Sequence, residues 1–220
     1  MPRSLDPLDS LRLLIGGPVC LITTRWRDQT DVMPAIWVTP VSRRPPLVGV
    51  AIHPSRHTHD MVRFAEEFAI NIPGPDLMAH THYFGTVSGR DVNKLELSQL
   101  PTFKASKVEA PLILHCIAWI ECGLEDVLRL GDHSFFVGRV VAVQVEKEAF
   151  DETWLLENAA YRPLHYLGGD HYAVLERRLQ AQLRTDAEGT IQLGESPEER
   201  ERRMEEEARE RERRQREGQE

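Results

Sequence analysis

The chain has 220 residues, of which 41% are hydrophobic and 28% are charged, values that are ordinary for a globular domain with one buried core. Its formal net charge of -8 argues against a general nucleic-acid binder, because binding to phosphate backbones requires a basic surface. The first residues lack a basic segment leading into a long apolar run, and no stretch reaches the roughly 18 apolar residues of a membrane helix. We therefore expect a cytoplasmic protein without a signal peptide or a membrane span.

The first predicted elements in chain order form a hairpin. An apolar, β-branched strand at 18–26 is followed by a polar turn and a second run at 32–39 in which two sets of residues alternate. Because Pro34 cannot donate a hydrogen bond to a neighbouring strand, this second strand is expected at a sheet edge or with a bulge there. A third strand follows at 47–52.

A helix is predicted next, since Met61, Phe64, Ala65 and Phe68 recur at helical spacing and would form one apolar stripe. The remaining predicted elements are a strand at 68–73, short helices within 76–100, and long strands at 112–122 and 135–145. Strands outnumber helices and most connections are short, which favours a closed antiparallel barrel or a sandwich over βαβ units.

The last two strands contain residues that are expected to share a face. On one strand these are Leu114, Cys116, Ala118, Ile120 and Cys122, and on the other Phe135, Val137, Arg139, Val141, Val143 and Val145. Two cysteines six residues apart on one strand lie about 20 Å from each other, beyond the reach of a disulfide. We expect these two and Cys20 to be small buried hydrophobic residues rather than redox groups.

The composition changes near residue 176, and residues 195–220 are almost wholly Glu and Arg. Acid-first pairs at i, i+4, such as Glu205 and Arg209, each stabilise a helix by about 0.2–0.5 kcal/mol. Only Met204 and Ala208 could form an apolar seam, so we expect a solvated helical or disordered tail and not a coiled coil. The predicted organisation is an N-terminal segment (1–14), one domain (15–175) and the charged tail (176–220).

Several familiar catalytic and nucleotide-binding motifs are missing: the chain has no GxxxxGK[ST] loop, no GxGxxG opening a helix and no GxSxG elbow. The pairs His57/His59 and His80/His82 have a spacing that can bind a metal on a strand. No carboxylate or cysteine is placed as a further ligand, so we predict no metal site.

The segment HPSRHTHDMVRF (53–64) carries the clearest candidate binding residues. It joins a strand to a helix start and brings Ser55, Arg56, His57 and Thr58 together. Hydroxyls, a guanidinium and free amides at a helix N-terminus are the donors that a phosphate monoester needs. The alternative is an ordinary helix cap with a solvated arginine.

Three further segments allow a binding and a structural interpretation. The edge strand DVMPAIWVTP (31–40) could lie along a flat aromatic ligand, or hold a core tryptophan in a barrel strand. The segment FGTVSGRDVNK (84–94) could bring Arg90 and Lys94 to a ligand, or be a surface loop. In GDH (131–133), the histidine could contact a cofactor at a strand mouth, or be exposed.

Taken together and in this order, PVCLITTRW, DVMPAIWVTPVSRRPPLVGVAIHPSRHTHDMVRFAEEFAINIP, SGRDVNK and GDHSFFVGRVVAV resemble the flavin reductase-like FMN-binding family, especially its flavoredoxin branch. The resemblance spans roughly residues 15–175. It implies a mainly β fold with short helices, a Greek-key split β-barrel, which dimerises and binds FMN near the dimer interface.

The resemblance also implies roles for individual residues. The flavin ring would lie along 33–39, largely against the backbone, and the ribityl chain beside 51–53. Lys94 would add positive charge near the phosphate, and His133, the expected catalytic residue, would face the nicotinamide. The full set of expected cofactor-binding residues is Met33, Pro34, Ala35, Ile36, Trp37, Thr39, Ala51, Ile52, His53, Ser55, Arg56, Thr58 and Lys94.

Three positions depart from the family pattern. Asp31 stands where members often have Asn, Pro34 where they often have Thr or Ser, and His57 where the flavoredoxin branch often has an aromatic residue. Pro34 removes one hydroxyl and one N–H that could bond the flavin, which puts the ring contacts in doubt more than the phosphate contacts.

The function implied is that of an FMN-dependent oxidoreductase, a homodimer that takes electrons from NADH or NADPH and passes them to free flavin, ferric iron or a partner protein. One alternative is an FMN-binding electron carrier without activity toward NAD(P)H. Another is a non-catalytic binding protein on the same fold, because one scaffold can host several functions.

Overall fold

The computed structural model describes residues 6, 13–14, 17–181, 184–185, 191–192, 201–205 and 209. The chain divides into two compact units, Met1–Arg178 and Leu179–Glu220. In the described part of the second unit, β14 (Arg184–Thr185) pairs antiparallel with β15 (Ile191–Gln192), and residues 201–205 are helical. The predicted pair of Glu205 and Arg209 is present at 3.5 Å, whereas the other predicted pairs of the tail involve residues outside the described ones.

Within residues 17–178, the first unit is mainly β, with three short helices. Its strands are β1 (Cys20–Trp26), β2 (Gln29–Ala35), β3 (Val38–Arg43), β4 (Pro46–Ile52), β5 (Glu67–Pro73), β6 (Thr102–Phe103), β7 (Leu112–Ile113), β8 (Cys116–Leu130), β9 (His133–Val145), β10 (Phe150–Asp151), β11 (Thr153–Trp154), β12 (Leu164–Gly168) and β13 (His171–Val174). Its helices are α1 (His57–Ala65), α2 (Met78–Thr86) and α3 (Lys94–Ser98), and single 3-10 turns lie at Pro75–Leu77 and Ala159–Tyr161.

Seven strands form one antiparallel sheet in the order β2-β1-β5-β8-β9-β4-β3. Successive side chains of a strand point to opposite faces, and both faces of this sheet are covered. Ile22, Phe68 and Phe136 belong to one buried cluster, while Leu21 and Trp119 belong to a second. The predicted fold class, mainly β with short helices, is confirmed.

The first hairpin agrees with the sequence in one respect and differs in another. Pro34 lies opposite Leu21 on β2, which is an edge strand of the sheet, as its missing N–H requires. The prediction of one continuous strand at 32–39 is wrong, because β2 ends at Ala35 and β3 begins at Val38. The chain therefore turns between two strands at Ile36 and Trp37.

The predicted apolar stripe of the first helix is confirmed at Met61, which is buried, but is wrong at Phe64 and Phe68. Phe64 is 62% exposed and packs against Trp26, with ring centroids 5.1 Å apart. The left-handed conformation of Glu66 ends α1 at Ala65, and Phe68 therefore belongs to β5. The face that α1 buries instead carries Thr58, His59, Met61 and Val62.

The long strands depart from strict alternation at bulges. Pro73 pairs with Cys116 although Ile72 pairs with Ala118, so β8 holds one extra residue there. The extra residue moves the side chain of Cys116 to the opposite face of the sheet. Cys116 therefore packs into a different cluster from Cys122, and the two do not share a face, contrary to the prediction. All three cysteines are free and buried, as expected, and burial raises the pKa of Cys20 and Cys122 to about 12.

The expected common face of β9 is divided in the same way. The β8–β9 register shifts between Glu121 and Cys122. Val137 is buried, whereas Val141, Val143 and Val145 are 42%, 62% and 40% exposed. The far end of β9 thus presents an uncovered apolar row. Among the described residues, no helix is long and apolar enough to span a membrane.

Candidate functional site

Two adjoining clefts lie on the first unit. The cradle, of about 250 Å³, is lined by residues 33–34, 55–58 and 84–89 together with Lys94. The side cleft, of about 350 Å³, runs between β2, α2 and the β12–β13 hairpin. Four residues, Pro34, Arg56, Gly85 and Thr86, line both clefts. The clefts therefore form one groove that is long enough to hold a ligand with two chemically different ends.

The cradle contains the start of α1, which follows β4 directly. Arg56 is the N-cap residue of this helix and has extended backbone angles, and no side chain caps the helix. The first N–H groups of a helix lack partners within it and carry a partial positive charge. The Arg56 side chain is exposed, and no carboxylate of the described residues pairs with it. This end of the cradle is therefore suited to an anion.

Thr58 and Lys94 line the cradle and both lie close to Asp31. The Thr58 hydroxyl donates to the Asp31 carboxylate at 2.6 Å. The Lys94 ammonium donates to the carbonyls of Val32 at 2.6 Å and Phe84 at 3.4 Å and lies 3.5 Å from Asp31. An ammonium has three N–H groups, and two of those of Lys94 are used by these carbonyls. Both side chains hold Asp31 behind the cradle.

The charges behind the cradle are almost removed from water. The side chains of Lys94 and Asp31 are 5% and 1% exposed. Burial lowers the pKa of Lys94, Asp31 opposes that effect, and the nearby Arg56 guanidinium adds to it. Two cations thus lie near each other: Lys94 is neutralised by Asp31 inside the protein, and Arg56 faces the groove.

Gly89 lines the cradle and packs closely against Asp31 and His57. A Cβ at this position would overlap the Asp31 carboxylate and lie 2.8 Å from Nδ1 of His57. That nitrogen lies 3.6 Å from Asp31 and has no hydrogen-bond partner within the described part of the chain. The loop before α3 can approach this closely only because glycine has no side chain.

Arg90 fixes the same loop to α1. Its guanidinium donates to the Ser55 carbonyl at 2.5 Å and to the Asp60 carboxylate at 2.8 Å. The loop ends at Asn93, whose side chain accepts from the Glu96 N–H and caps α3. The helix therefore begins at Lys94, and this lysine is its buried residue.

The predicted catalytic residue belongs to a separate aromatic cluster. The ring of His133 lies 4.7 Å from that of Trp37 and 5.1 Å from that of His53, and its Nδ1 lies 2.7 Å from the Asp132 carboxylate. None of these three rings lines the cradle or the side cleft. The Ser55 hydroxyl, 2.8 Å from Nδ1 of His53, links the cluster to the cradle.

The other expected cofactor-binding residues divide into two groups. Met33, Pro34 and Ile36 line the groove. The side chains of Ala35 and Ile52 are buried in the core, the Thr39 hydroxyl donates to the Pro40 carbonyl at 3.3 Å, and Ala51 is half-buried in β4 with its N–H bonded to Trp37 at 3.0 Å. In this second group, only backbone groups remain for a ligand.

The side cleft contains residues that sequence reasoning missed. Its walls include Thr81 and His82 from α2 and Tyr166 and Tyr172 from the β12–β13 hairpin. The hairpin is held to the start of β1 by a backbone bond from Val19 to Leu164 at 2.7 Å. The histidine was considered only as a metal ligand, and no motif marks the tyrosines. The described residues contain no cluster of three or more metal-ligating side chains.

Comparison with known proteins identifies the family. The model of the flavin reductase like domain matches residues 12–172. An uncharacterised protein of Pyrococcus abyssi is 35% identical over 144 residues, which cover 66% of this chain and 83% of that protein. An uncharacterised protein of Escherichia coli is 30% identical over 175 residues, covering 77% and 93% of the two chains.

Solved structures show the same fold. An FMN-binding protein from Thermus thermophilus, with bound p-hydroxybenzaldehyde, has a TM-score of 0.71 at 30% identity and covers 82% of this chain and 99% of its own. Flavoredoxin from Methanosarcina acetivorans has a TM-score of 0.71 at 23% identity and covers 86% and 98%. The predicted split-barrel fold is thus confirmed. The chain belongs to the flavin reductase-like family.

Proposed function

We propose that this protein binds FMN in the groove, with the phosphate in the cradle, and works as an NAD(P)H-linked oxidoreductase. The observation that carries the proposal is the position of Arg56, a cation at a helix N-terminus that lines both clefts and pairs with no carboxylate of the described residues. The FMN-binding relative from Thermus thermophilus supports the choice of flavin.

The phosphate would be held by Arg56, the Ser55 hydroxyl and the first N–H groups of α1. A guanidinium forms strong, charge-assisted hydrogen bonds to phosphate oxygens, and a helix N-terminus favours an anion. Thr58 and Lys94 would support this site indirectly, because they hold Asp31 and the wall of the cradle in place. Asp31 itself is 2% exposed, so its carboxylate interacts with Thr58 and Lys94 and not with the ligand.

The ring would extend from the cradle along Pro34 and Ile36, where β2 has no neighbouring strand on its outer side. The two tyrosines of the hairpin supply aromatic surface beside these residues, and planar ligands pack well against such surface. Bound FMN would supply the hydride and electron transfer, so that the protein needs no acid, base or nucleophile of its own.

His133 is proposed to position the nicotinamide of NADH or NADPH. Trp37 and His53 pack against its ring, and the Asp132 carboxylate holds Nδ1. The imidazole is therefore fixed in one orientation at the mouth of β9, which is the property that a positioning residue requires. The electron acceptor is proposed to be free flavin, ferric iron or a redox partner protein.

One observation favours a second function, that of an FMN-binding electron carrier without activity toward NAD(P)H. The aromatic cluster of His133 does not line either cleft of the described chain. Bleaching of the flavin absorbance by anaerobic NADH or NADPH separates the two functions, because a carrier without this activity keeps its absorbance.

A homodimer is part of the proposal. The outer side of β8 and β9 exposes several large apolar side chains: Leu128, Leu130, Val141, Val143 and Val145, which are 44%, 59%, 42%, 62% and 40% exposed. Leu128 and Leu130 lie beside the turn that joins β8 and β9, and the three valines lie at the opposite end of β9. They form two exposed apolar patches, and such patches often mark an interface. Sedimentation of the purified protein at twice the monomer mass is the expected result, and a monomer at high concentration would contradict it.

The phosphate site is tested by comparing FMN with riboflavin, which has the same ring and no phosphate. Arg56→Ala is expected to weaken FMN binding about 10-fold to 100-fold, the usual effect of losing a hydrogen bond to a charged group, and to leave riboflavin binding unchanged. Arg25→Ala is the matched control, since Arg25 is an exposed arginine on β1. Equal affinity of the native protein for both flavins would contradict the proposal.

A further inference from the structure

We propose that the buried hydroxyl of Thr81 donates a hydrogen bond to the heteroaromatic ring of the flavin, in the side cleft. This inference rests on the proposed function and adds a ring-binding residue to it. Thr81 lies in the middle of α2 and lines the side cleft. Its side chain is fully buried, at 0% exposure.

The hydroxyl of Thr81 has no hydrogen-bond partner among the residues that the structure describes. Threonines inside helices commonly return their hydroxyl to the carbonyl four residues earlier, as Thr86 does over three residues with Tyr83 at 2.8 Å. Within the described part of the chain, Oγ1 of Thr81 makes no hydrogen bond. A buried polar atom without a partner is costly, and proteins retain such atoms mainly where a ligand or water completes the bond.

Arg56 is assigned above to the phosphate, and the other hydroxyl groups around the side cleft are already engaged. The hydroxyl of Tyr172 lies 3.2 Å from Nδ1 of His82, and the hydroxyl of Tyr166 donates to the Gly169 carbonyl at 3.1 Å. The Thr86 hydroxyl is satisfied by its own helix. Among the four hydroxyls that line this cleft in the described chain, that of Thr81 is the one without a hydrogen-bond partner.

Thr81 also lines the same cleft as Pro34, the position of β2 that cannot donate a hydrogen bond to a flavin ring. Pro34, on β2, has neither an N–H nor a hydroxyl to offer to a ring. Helix α2 packs against this proline so closely that a Cβ on Gly85 would lie 3.3 Å from its Cγ. The helix thus brings Thr81, the residue that carries this hydroxyl, to the wall of the cleft that Pro34 also lines. The carbonyl oxygens of the flavin ring are natural acceptors for it.

The test uses lumiflavin, which consists of the ring without ribityl phosphate, alongside FMN. Thr81→Val removes the hydroxyl and nearly preserves the shape. We expect the dissociation constants of lumiflavin and FMN to rise by the same factor, about threefold to tenfold, as for the loss of one hydrogen bond. Thr81→Ser keeps the donor and is expected to bind both ligands with nearly native affinity.

Thr24→Val is the matched control, because Thr24 is also fully buried but its hydroxyl is satisfied by the Glu67 carbonyl at 3.1 Å. This variant is expected to melt at a lower temperature with unchanged flavin affinity. Thr81→Val without flavin is expected to melt at or above the native temperature, because no internal hydrogen bond is lost.

The outcomes separate this inference from the proposed function. Native affinity of Thr81→Val for lumiflavin and FMN, while the native protein binds both, overturns the role of Thr81 and leaves the FMN site standing. A loss confined to FMN overturns it as well, because the ring is common to both ligands. Failure of the native protein to bind either flavin overturns both proposals.

Discussion

The buried pair of Asp31 and Lys94 gives a prediction whose magnitude follows from the structure. Asp31→Asn leaves an ammonium that is 5% exposed without its carboxylate. Removing one partner of a buried ion pair costs about 3–5 kcal/mol, because the remaining charge is uncompensated. For a domain of this size, each kcal/mol lowers the melting temperature by roughly 2–4 °C. The expected fall is therefore about 6–20 °C.

Thermal melts of the variants measure this effect. Lys94→Met should lower stability by a comparable amount, since it strands the carboxylate that Thr58 also contacts. The double variant should lose clearly less than the sum of the two, because each substitution removes the charge that the other leaves unpaired. Additive losses, or single variants that melt within about 2 °C of the native protein, would refute the reasoning.

Three further predictions concern the cradle, the pH dependence and the nicotinamide. Gly89→Ala should cost about 1–3 kcal/mol of stability, as overpacking does, and should weaken FMN binding, because the new methyl group overlaps Asp31; a variant with native FMN affinity would contradict this. Burial alone would raise the pKa of Glu121. Hydrogen bonds from Ser106 and from the backbone N–H groups next to it lower the pKa by more, so that it lies below the ordinary 4.5. Its contribution to stability is present above pH 4.5 and lost as the pH falls through the lower, folded-state pKa, so Glu121→Gln should flatten the loss of stability in acid, and an unchanged acid profile would count against it. His133→Ala should slow reduction of bound flavin by NAD(P)H roughly tenfold to a hundredfold through lost positioning, with FMN affinity unchanged, and native reduction rates would refute the role.

The sequence predicts those parts of the fold that local patterns determine. The apolar, β-branched run of β1 and the missing N–H of Pro34 are sufficient to place a buried strand and an edge strand. The bulge next to Cys116 was not predictable, because both faces of this part of β8 are buried and its apolar sequence shows no alternation whose shift could reveal an extra residue. The limit of α1 depended in the same way on the left-handed conformation of one residue, Glu66.

For the candidate site, the sequence predicts which segments meet but not which atoms remain free. The segment 53–64 does form the cradle wall, and 84–89 does lie beside it. The side chains of Thr58 and Lys94 are used internally because both reach Asp31, a residue that differs from the family pattern. Such a contact joins distant parts of the chain and can be seen only in three dimensions.

The side cleft shows the same limit more strongly. Its walls come from residues 81–86 of α2 and 166–172 of the last hairpin, which are far apart along the chain. No spacing rule connects a helix threonine to tyrosines of such a hairpin. The resemblance to the family predicted a ring site along β2, and the structure adds the surfaces that stand opposite.

An absorbance spectrum of the purified protein, titrated with FMN and then with anaerobic NADH or NADPH, tests the central claim most directly. We predict a saturable change of the flavin bands at one FMN per chain, followed by bleaching when the nicotinamide is added. A protein that leaves the FMN spectrum unchanged and gains no thermal stability from FMN would contradict the account.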